Sequence, residues 1–468
     1  MNKLHKFLPL TLLEMFSIRV SRQRVRGIGS AVLMLCATQA WAATHFVRAG
    51  ASGNGSSWSS AWGNLNSIAW SSLSPGDVVC IAGGSYSGSI TTGASGASGS
   101  PIVVKRAVAS DASCGSTTAG WNSAFDAQVV MTGTITLQSN YVTIDGIVKN
   151  GISIVMQNPS GRDYVGIGVG APTNGATLRY IEVSGPCLAN FSSCTQNGDH
   201  RSISLNHWNG SSYDLQNNMA MQYLNLHGAC TLLWSAHSTN TVIEHSRFAD
   251  NSTNGTAACH PNVIAEQDST NMTFRYNEVT NWQVEGIMAC PNSACSSSWQ
   301  IYGNLWHDPM KGSYPRILEA QANNNGPYLF YNNTVVNNYY ECAGTANGGS
   351  FAAGTQARNN IYWNSGGSCG LPDQDYDYSN QAISGEAHGQ GYASNPFINL
   401  AAQDYHLAFH IQGLALPTPY NIDFDGNSRA SDGIWDRGAY QYGSQGTSTG
   451  SSNSGAPSPP TNLVATIQ

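Results

Sequence analysis

Charged residues are scarce in this sequence. Asp, Glu, Lys and Arg make up 10% of its 468 residues, whereas ordinary soluble domains carry roughly 25%. Long helical patterns are also missing, because Gly, Asn and Pro interrupt every apolar run in the central region. What remains is short runs of Val, Ile, Thr and aromatic residues, with 12 Trp and 21 Tyr to build a core. This pattern predicts an all-β fold.

The N-terminal segment lacks an apolar run long enough to cross a bilayer. Its run Ala31–Cys36 follows several arginines and precedes Ala40-Trp41-Ala42, which has the small-x-small form of a cleavage site. Residues 1–42 are therefore predicted to be a signal peptide, and the protein to be secreted, extracellular or periplasmic, without a transmembrane segment.

Basic residues become rarer still once this segment is removed. The remaining 14 Lys and Arg stand against 26 Asp and Glu, so the net charge is 14 minus 26, or −12. This balance argues against nucleic acid as a partner. It also provides no long-range attraction to an acidic polysaccharide.

Cysteine spacings typical of metal sites, such as C-x-x-C, do not occur. Ten cysteines follow the signal peptide, an even number that favours disulfides in an oxidising compartment. We expect local pairing within sequence-adjacent couples, although spacing alone does not prove connectivity: Cys80/Cys114, Cys187/Cys194, Cys230/Cys259, Cys290/Cys295 and Cys342/Cys369.

A short pattern of apolar residues ending in Asn recurs through the second half of the chain. Its asparagines are Asn277, Asn304, Asn333 and Asn360, separated by 27, 29 and 27 residues. Two short strands in each unit of this length predict a solenoid. The alternative, a β-propeller, needs longer blades of about 40–45 residues. In a parallel β-helix the repeated asparagines would stack, hydrogen-bond each other and take the left-handed conformation at the turn.

Each end of a solenoid exposes its apolar core and needs a capping element. Trp62, Leu65, Ile68 and Ala69 suit one face of a short N-terminal capping helix. We assign residues 43–442 to the β-helix domain. Residues 443–468 are assigned to a Gly/Ser/Pro-rich linker and the possible start of a further module.

Particular segments carry a resemblance to a known group of proteins. PGDVVCIAGGSYSG, the Asn-ended coils and DFDGNSRASDGIWDRGAYQY resemble secreted bacterial right-handed parallel β-helix proteins of the pectate-lyase-like superfamily. The tail SPPTNLVATIQ resembles the first strand of a fibronectin type III module. The resemblance covers roughly His45 to Tyr442 and implies the fold, but one fold hosts many functions. The W-x-D-H and R-x-P-x-x-R segments of pectate lyases are absent, and Asn347-Gly348-Gly349-Ser350 only echoes the N-G-G-E segment of alginate-lyase-like proteins.

Candidate site residues follow from aligning the coils at VIAEQ, IMACP and ILEAQ. His260, Glu285 and Arg316 precede these strands and are predicted to share one stripe of the solenoid. Lys311 and Tyr314 lie in the long loop before Arg316, and the preceding Trp306, His307 and Asp308 suit a sugar-binding cleft.

Three functions remain open for this stripe. A polysaccharide lyase, our leading prediction, needs a base such as Lys311 or His260 and a cation, Arg316 or bound Ca²⁺, with Tyr314 protonating the leaving oxygen.

A glycoside hydrolase would instead pair Glu285 with Glu319 or Glu266. Glu266 and Glu319 differ in register by one residue, so at least one of them points away from a shared site. The third alternative is a non-catalytic cell-surface glycan-binding or adhesion protein. All three predict a polysaccharide as substrate or ligand, and we expect a monomer.

Ca²⁺ is the candidate cofactor. Two acidic segments offer oxygen ligands, Asp373/Asp375/Asp377 and Asp423/Asp425-Gly426-Asn427. Neither has the complete EF-hand pattern, and the favoured interpretation of both is a solvated loop.

Overall fold

The protein is a parallel β-helix, seen in a computed structural model that describes residues 42–157, 164–186, 198–251, 260–290, 297–311 and 314–443. Within these residues three parallel sheets run along the solenoid, with 12, 11 and 9 strands. Each complete coil adds one strand to the first sheet, then one to the second and one to the third; we name them sheets A, B and C. The predicted all-β fold and parallel β-helix are confirmed.

The strands are short, and their bounds define the sheets. Sheet A contains Thr44–Val47, Val78–Ile81, Ile102–Arg106, Val142–Asp145, Thr177–Arg179, Ala220–Gln222, Val242–Glu244, Met272–Arg275, Trp299–Tyr302, Tyr328–Tyr331, Gln356–Arg358 and Asp373–Asp375. Sheet B contains Gly84–Tyr86, Val129–Met131, Ile152–Val155, Ile181–Ser184, Asn225–His227, Arg247–Ala249, Glu278–Thr280, Leu305–His307, Thr334–Val336, Ile361–Trp363 and Tyr378–Ser379. Sheet C contains Ile90–Thr91, Ile135–Leu137, Tyr164–Val169, His200–Leu205, Thr231–Ala236, Ile264–Gln267, Glu285–Ala289, Arg316–Ala320 and Ala343–Thr345.

Smaller elements complete the described structure. Three two-residue strands form a separate sheet: Thr173–Asn174, Gln216–Asn217 and Ser238–Thr239. One antiparallel pair, Phe397–Asn399 with Asp404–Leu407, lies near the C-terminus. Short 3-10 turns cover Leu65–Ser67, Trp70–Ser72, Ser123–Asp126 and Leu400–Ala402.

The core is built from apolar side chains that superpose from coil to coil. Side chains alternate between the two faces of a strand, so one row from each sheet points inward. The central inward rows, all fully buried, are Ile243, Phe274, Ile301 and Phe330 in sheet A, Phe248, Val279, Trp306 and Val335 in sheet B, and Ile264, Ile287 and Leu318 in sheet C. Burial of these stacked rows is the main favourable term holding the coils together.

The repeated asparagines form a buried ladder between sheets A and B. The side-chain oxygen of Asn304 accepts from the backbone N–H of Asn277 at 2.9 Å, and its amide donates to the carbonyl of Phe274 at 2.9 Å. Asn333 and Asn360 repeat both contacts. The predicted stacking of these amides is confirmed.

The left-handed turn was assigned to the wrong residue. The residue before each ladder asparagine has the positive φ: Tyr276 at 54°, Gly303 at 64° and Asn332 at 52°. Asn277, Asn304 and Asn333 have no positive φ. The left-handed residue makes the bend, which leaves the following asparagine free to point inward and bond its neighbours.

The N-terminal segment does not form the predicted helix. It makes two 3-10 turns, Leu65–Ser67 and Trp70–Ser72. Asn64 caps the first turn through its side chain, and extended backbone at Asn64 and Leu73 bounds the pair. Of the four residues predicted to face the core, Trp62, Leu65 and Ile68 are buried in it, whereas Ala69 is exposed.

The C-terminal part of the described chain packs on the outside of the solenoid. Phe397, Tyr420, Trp435 and other residues of this segment bury against aromatic side chains at the turn between sheets A and B, including Tyr276 and Tyr302. We refer to residues 396–442 as the C-terminal strap.

Two of the predicted disulfides are present, Cys80–Cys114 and Cys342–Cys369. Cys230 and Cys290 are also disulfide-bonded, while Cys187, Cys194, Cys259 and Cys295 lie outside the described residues. Disulfides fit an oxidising, extracellular compartment.

Most of the predicted signal peptide and the predicted tail also lie outside the described residues. In the part of the chain that is described, no helix has the length and apolarity needed to span a bilayer.

Candidate functional site on sheet C

Three of the candidate residues meet on the outer side of sheet C. Glu285 and Arg316 occupy directly paired positions of adjacent strands. His260 lies one coil earlier, and its Nδ1 is 3.3 Å from Oε2 of Glu285. The predicted stripe of His260, Glu285 and Arg316 therefore exists as a contiguous cluster.

Asn262 holds the first part of this cluster in place. Its side-chain oxygen lies 2.7 Å from Nδ1 of His260, and its amide nitrogen donates to Oε2 of Glu285 at 3.2 Å. Asn262 is fully buried, whereas the His260 side chain is 58% exposed. A buried amide thus orients both a buried carboxyl and a solvent-accessible imidazole.

Arg316 connects the cluster to two further carboxylates. It forms ion pairs with Glu319, three residues along the same strand, and with Glu341 of the next coil, the second at 2.7 Å. Gln321 donates to the other oxygen of Glu319 at 2.5 Å. Arg316 and Gln321 therefore contact both oxygens of the Glu319 carboxyl group.

Gly344 provides the space for Arg316. A Cβ atom at Gly344 would lie 2.6 Å from Nε of Arg316, and Gly344 is paired with Glu319 across the strands. The guanidinium also lies 5.6 Å from the centre of the Tyr340 ring. A side chain at position 344 would displace the arginine that orients Glu319.

Glu285 has a strongly perturbed acidity. Burial raises the pKa of its carboxyl to about 7, and the negative charge of Glu319 acts in the same direction, while His260 and Arg316 oppose the shift. The carboxyl is therefore largely protonated at mildly acidic pH and suits a proton donor.

Lys311 and Tyr314 are less closely associated with this cluster. Both are exposed, and among the described residues Lys311 makes no hydrogen bond or ion pair. The Tyr314 ring packs edge-on against Tyr340 at 5.6 Å, and its carbonyl accepts from the backbone N–H of Arg316 at 2.7 Å. Tyr314 thus flanks Arg316.

Glu266 lies on the opposite face of sheet C. It is paired with Ser235 and Ala289, one register position away from the row of Met288 and Glu319. The residue is fully buried, accepts from Ser297 and from the backbone of Ser269, and burial raises its pKa to about 8. This confirms that Glu266 and Glu319 cannot serve one site.

The aromatic and acidic residues before Lys311 do not line a cleft either. Trp306 belongs to the inner row of sheet B and is fully buried. His307 contacts Glu278 at 3.1 Å and Asp308 at 2.8 Å, and Tyr405 of the C-terminal strap covers its ring. The strap therefore closes this region.

Residues that sequence reasoning overlooked extend the site along sheet C. Trp234 belongs to an outward row that continues through Ala265 and Met288 to Glu319, and Arg201 lies 4.5 Å above its ring. Three strand spacings of about 4.8 Å place Trp234 about 14 Å from the Glu319 position. Asn262 and Glu341 had a usable signal, since each lies two residues before the start of a sheet C strand.

The predicted calcium ligands do not gather around one point. Among the described residues no group of three or more His, Cys, Asp or Glu side chains is arranged to hold a metal ion. Asp377 is not in a solvated loop: it is fully buried and ends the asparagine ladder by accepting from Asn360. Asp423 accepts from backbone N–H groups, and Asp425 pairs with His406.

Comparisons with known proteins found similarity to solved structures at low sequence identity. No protein-family model and no curated protein matches the sequence. Among solved structures, pectate lyase Pel9A has 13% identity and a TM-score of 0.47, covering 86% of this chain and 97% of its own. A rhamnogalacturonan lyase has 12% identity and a TM-score of 0.42 over the same shares. A lacto-N-biosidase from Eubacterium ramulus has 11% identity and a TM-score of 0.40, covering 74% of this chain and 67% of its own.

Proposed function

We propose that the protein is a secreted carbohydrate-active enzyme that hydrolyses a glycosidic bond on the outer face of sheet C. The observation that carries this proposal is the different surroundings of two neighbouring carboxyl groups. Burial raises the pKa of Glu285 to about 7, whereas both oxygens of Glu319 are contacted by Arg316 and Gln321. Paired carboxyl groups with opposite protonation states are the requirement for glycoside hydrolysis.

Glu285 would donate its proton to the oxygen of the leaving sugar. Glu319 would act on the anomeric carbon, directly or by activating a water molecule. Asn262 and His260 hold the proton donor, and Arg316 orients the second carboxylate, so both groups are positioned before substrate binds.

The local charges favour a neutral glycan. Arg316 is already paired with two carboxylates, Glu319 and Glu341, so it has little positive charge left for an acidic sugar. Trp234 lies about 14 Å along the same row of sheet C, roughly three coils from the reacting bond, and its ring with Arg201 above it is a contact point for a sugar residue.

A polysaccharide lyase is the second candidate, and one observation favours it. His260 is solvent-accessible, with its side chain 58% exposed, and lies one coil before Glu285 and two coils before Arg316. An imidazole base and a guanidinium would together remove a proton next to a uronate and stabilise the resulting charge. This mechanism requires Arg316 to exchange a carboxylate partner for the substrate.

Incubation with a panel of neutral and acidic polysaccharides tests the proposal. Hydrolysis releases reducing ends without an unsaturated product, whereas a lyase produces an ultraviolet-absorbing unsaturated uronate. We expect reducing ends from a neutral glycan, and loss of at least about a thousandfold in kcat in Glu285→Gln and in Glu319→Gln, since each removes a group that acts only in the transition state.

Glu182→Gln is the matched control, because Glu182 is a half-buried carboxylate on sheet B that contacts His227. Its activity should equal that of the unaltered protein. An unsaturated product, or glycan retention without any cleavage, would refute the hydrolase proposal in favour of the lyase or the binding protein respectively.

A further inference from the structure

A pocket lies on a different side of the solenoid from sheet C. It is a cavity of about 320 Å³ between the sheet A–sheet B turn and the C-terminal strap. The turn contributes Glu244, His245, Arg275 and Tyr276, and the strap contributes Pro419 and Ile422 among others. This volume lies at the lower end of the roughly 300–1,000 Å³ of small-molecule sites.

His245 supplies this pocket with a polar atom that has no partner. The residue is only 9% exposed, and its Nδ1 is buried without a hydrogen bond in the described structure. Its ring is stacked between those of Tyr223 at 5.1 Å and Tyr276 at 5.3 Å, so it cannot turn away. Nδ1 itself has almost no accessible surface, so the atom that a ligand in the pocket can bond is the other ring nitrogen, Nε2, which also has no hydrogen-bond partner among the described residues. A hydrogen bond from a ligand to Nε2 would satisfy part of this buried polar ring.

The charges on the pocket wall already have counterions. Glu244 pairs with Arg275 at 2.6 Å, and Asp425 pairs with His406 at 2.8 Å. Burial lowers the pKa of His245 to about 4, so its ring is uncharged at neutral pH. A charged ligand would have to break one of these pairs, whereas a neutral ligand keeps both.

The rest of the lining combines apolar surface with available hydroxyl and amide groups. Pro419, Ile422 and the Tyr276 ring provide the apolar part. The side chains of Thr418 and Asn421 also line the pocket and make no hydrogen bond to other described residues. A compact ligand with an apolar face and a rim of hydroxyl groups matches this arrangement, which is the chemistry of a neutral sugar.

We propose that this pocket binds a neutral saccharide of one or two residues, as a non-catalytic site separate from sheet C. The strap and the coil turn each supply part of the wall, so the site exists only where the strap is docked. Binding here does not depend on cleavage at sheet C, and the two proposals fail independently.

The test measures binding of glucose, galactose, mannose and xylose, with glucuronate as the charged comparator. Saturation-transfer NMR and titration calorimetry are carried out on the complete protein in the Glu285→Gln background, which prevents turnover. His245→Phe keeps the ring stack but removes both ring nitrogens, including the accessible Nε2, and we expect affinity to fall about tenfold, as for one lost hydrogen bond. Asn421→Trp fills the cavity and should abolish binding.

Tyr180→Phe is the control, because Tyr180 belongs to the same ring stack, 4.7 Å from Tyr223, but does not line the pocket. It should bind as the parent does. The proposal is overturned if no neutral sugar binds, if glucuronate binds as tightly, or if affinity is unchanged in a folded His245→Phe and in Asn421→Trp. Should His245→Phe fail to fold by circular dichroism, Asn421→Trp alone decides.

Discussion

The asparagine ladder allows a stability prediction that can be worked out bond by bond. Asn304 is fully buried. Its side chain accepts from the backbone N–H and the amide of Asn277, and donates to the Phe274 carbonyl and to the Asn333 side chain, at 2.9, 3.2, 2.9 and 3.0 Å. Asn304→Ala removes all four bonds.

The size of the effect depends on which groups lose their last partner. The Asn277 amide keeps its bond to the Ile243 carbonyl, and the Asn333 oxygen keeps the Asn304 backbone N–H. The backbone N–H of Asn277 and the carbonyl of Phe274 lose the side chain that bonded them. At about 1–3 kcal/mol for each unpaired buried group, the free energy of unfolding should fall by about 2–6 kcal/mol.

Urea unfolding followed by circular dichroism measures this change. Asn217→Ala is the matched control, because Asn217 also bonds an asparagine of the next coil, Asn240, but does so at the surface. It should cost less than about 1 kcal/mol. Equal losses in the two variants, or a loss below about 1 kcal/mol in Asn304→Ala, would show that buried bonding in the ladder does not stabilise the coils.

Two further predictions concern buried acidity and close packing. The pKa of the Glu266 carboxyl is about 8 in the folded protein, against 4.5 in the unfolded chain. Because the folded state binds the proton more tightly, the free energy of unfolding falls as pH rises between these two values. This group contributes about 4 kcal/mol to that fall. Glu266→Gln should reduce the decline in the free energy of unfolding between about pH 5 and about pH 8. Glu341→Gln, at an exposed carboxylate, is the control. An unchanged pH dependence in Glu266→Gln would refute the raised pKa of Glu266. Gly344→Ala should displace Arg316 and lower kcat at least about tenfold without unfolding the protein. Gly366→Ala is the control and should retain activity, because a Cβ atom at Gly366 would meet nothing nearer than 4.0 Å. Equal activities of these two glycine variants would contradict the proposed role of Arg316.

The coil architecture was predictable because it repeats. The regular spacing of these asparagines reflects the stacking of equivalent positions in successive coils: Asn277, Asn304, Asn333 and Asn360. Each ladder amide finds its hydrogen-bond partners in the adjacent coils, so the repeat is enough to predict these contacts. The left-handed residue was misassigned because Tyr276 is an uncommon choice for positive φ, whereas asparagine is a frequent one.

The candidate site was only partly predictable. Its position beside the sheet C strands followed from the repeat, which correctly brought His260, Glu285 and Arg316 together. No spacing or motif indicated that Arg316 would pair with both Glu319 and Glu341, or that Lys311 would lie apart from the cluster. Those facts depend on irregular loops, whose paths are set by packing and not by the repeat.

The sequence by itself determined the all-β class, the stacked coils and the asparagine ladder, because each depends on local spacing. It favoured the pairing of Cys80 with Cys114 and of Cys342 with Cys369 without proving it, and the tertiary structure showed both bonds. Tertiary structure alone decided the protonation of Glu285, the burial of Glu266 and the pocket beside His245. Burial and charge neighbours arise from several coils and from the C-terminal strap, which folds back across turns more than 100 residues earlier in the chain. The pKa of a buried group and the shape of a cavity depend on all of these surfaces together, so neither can be predicted from one segment of the sequence.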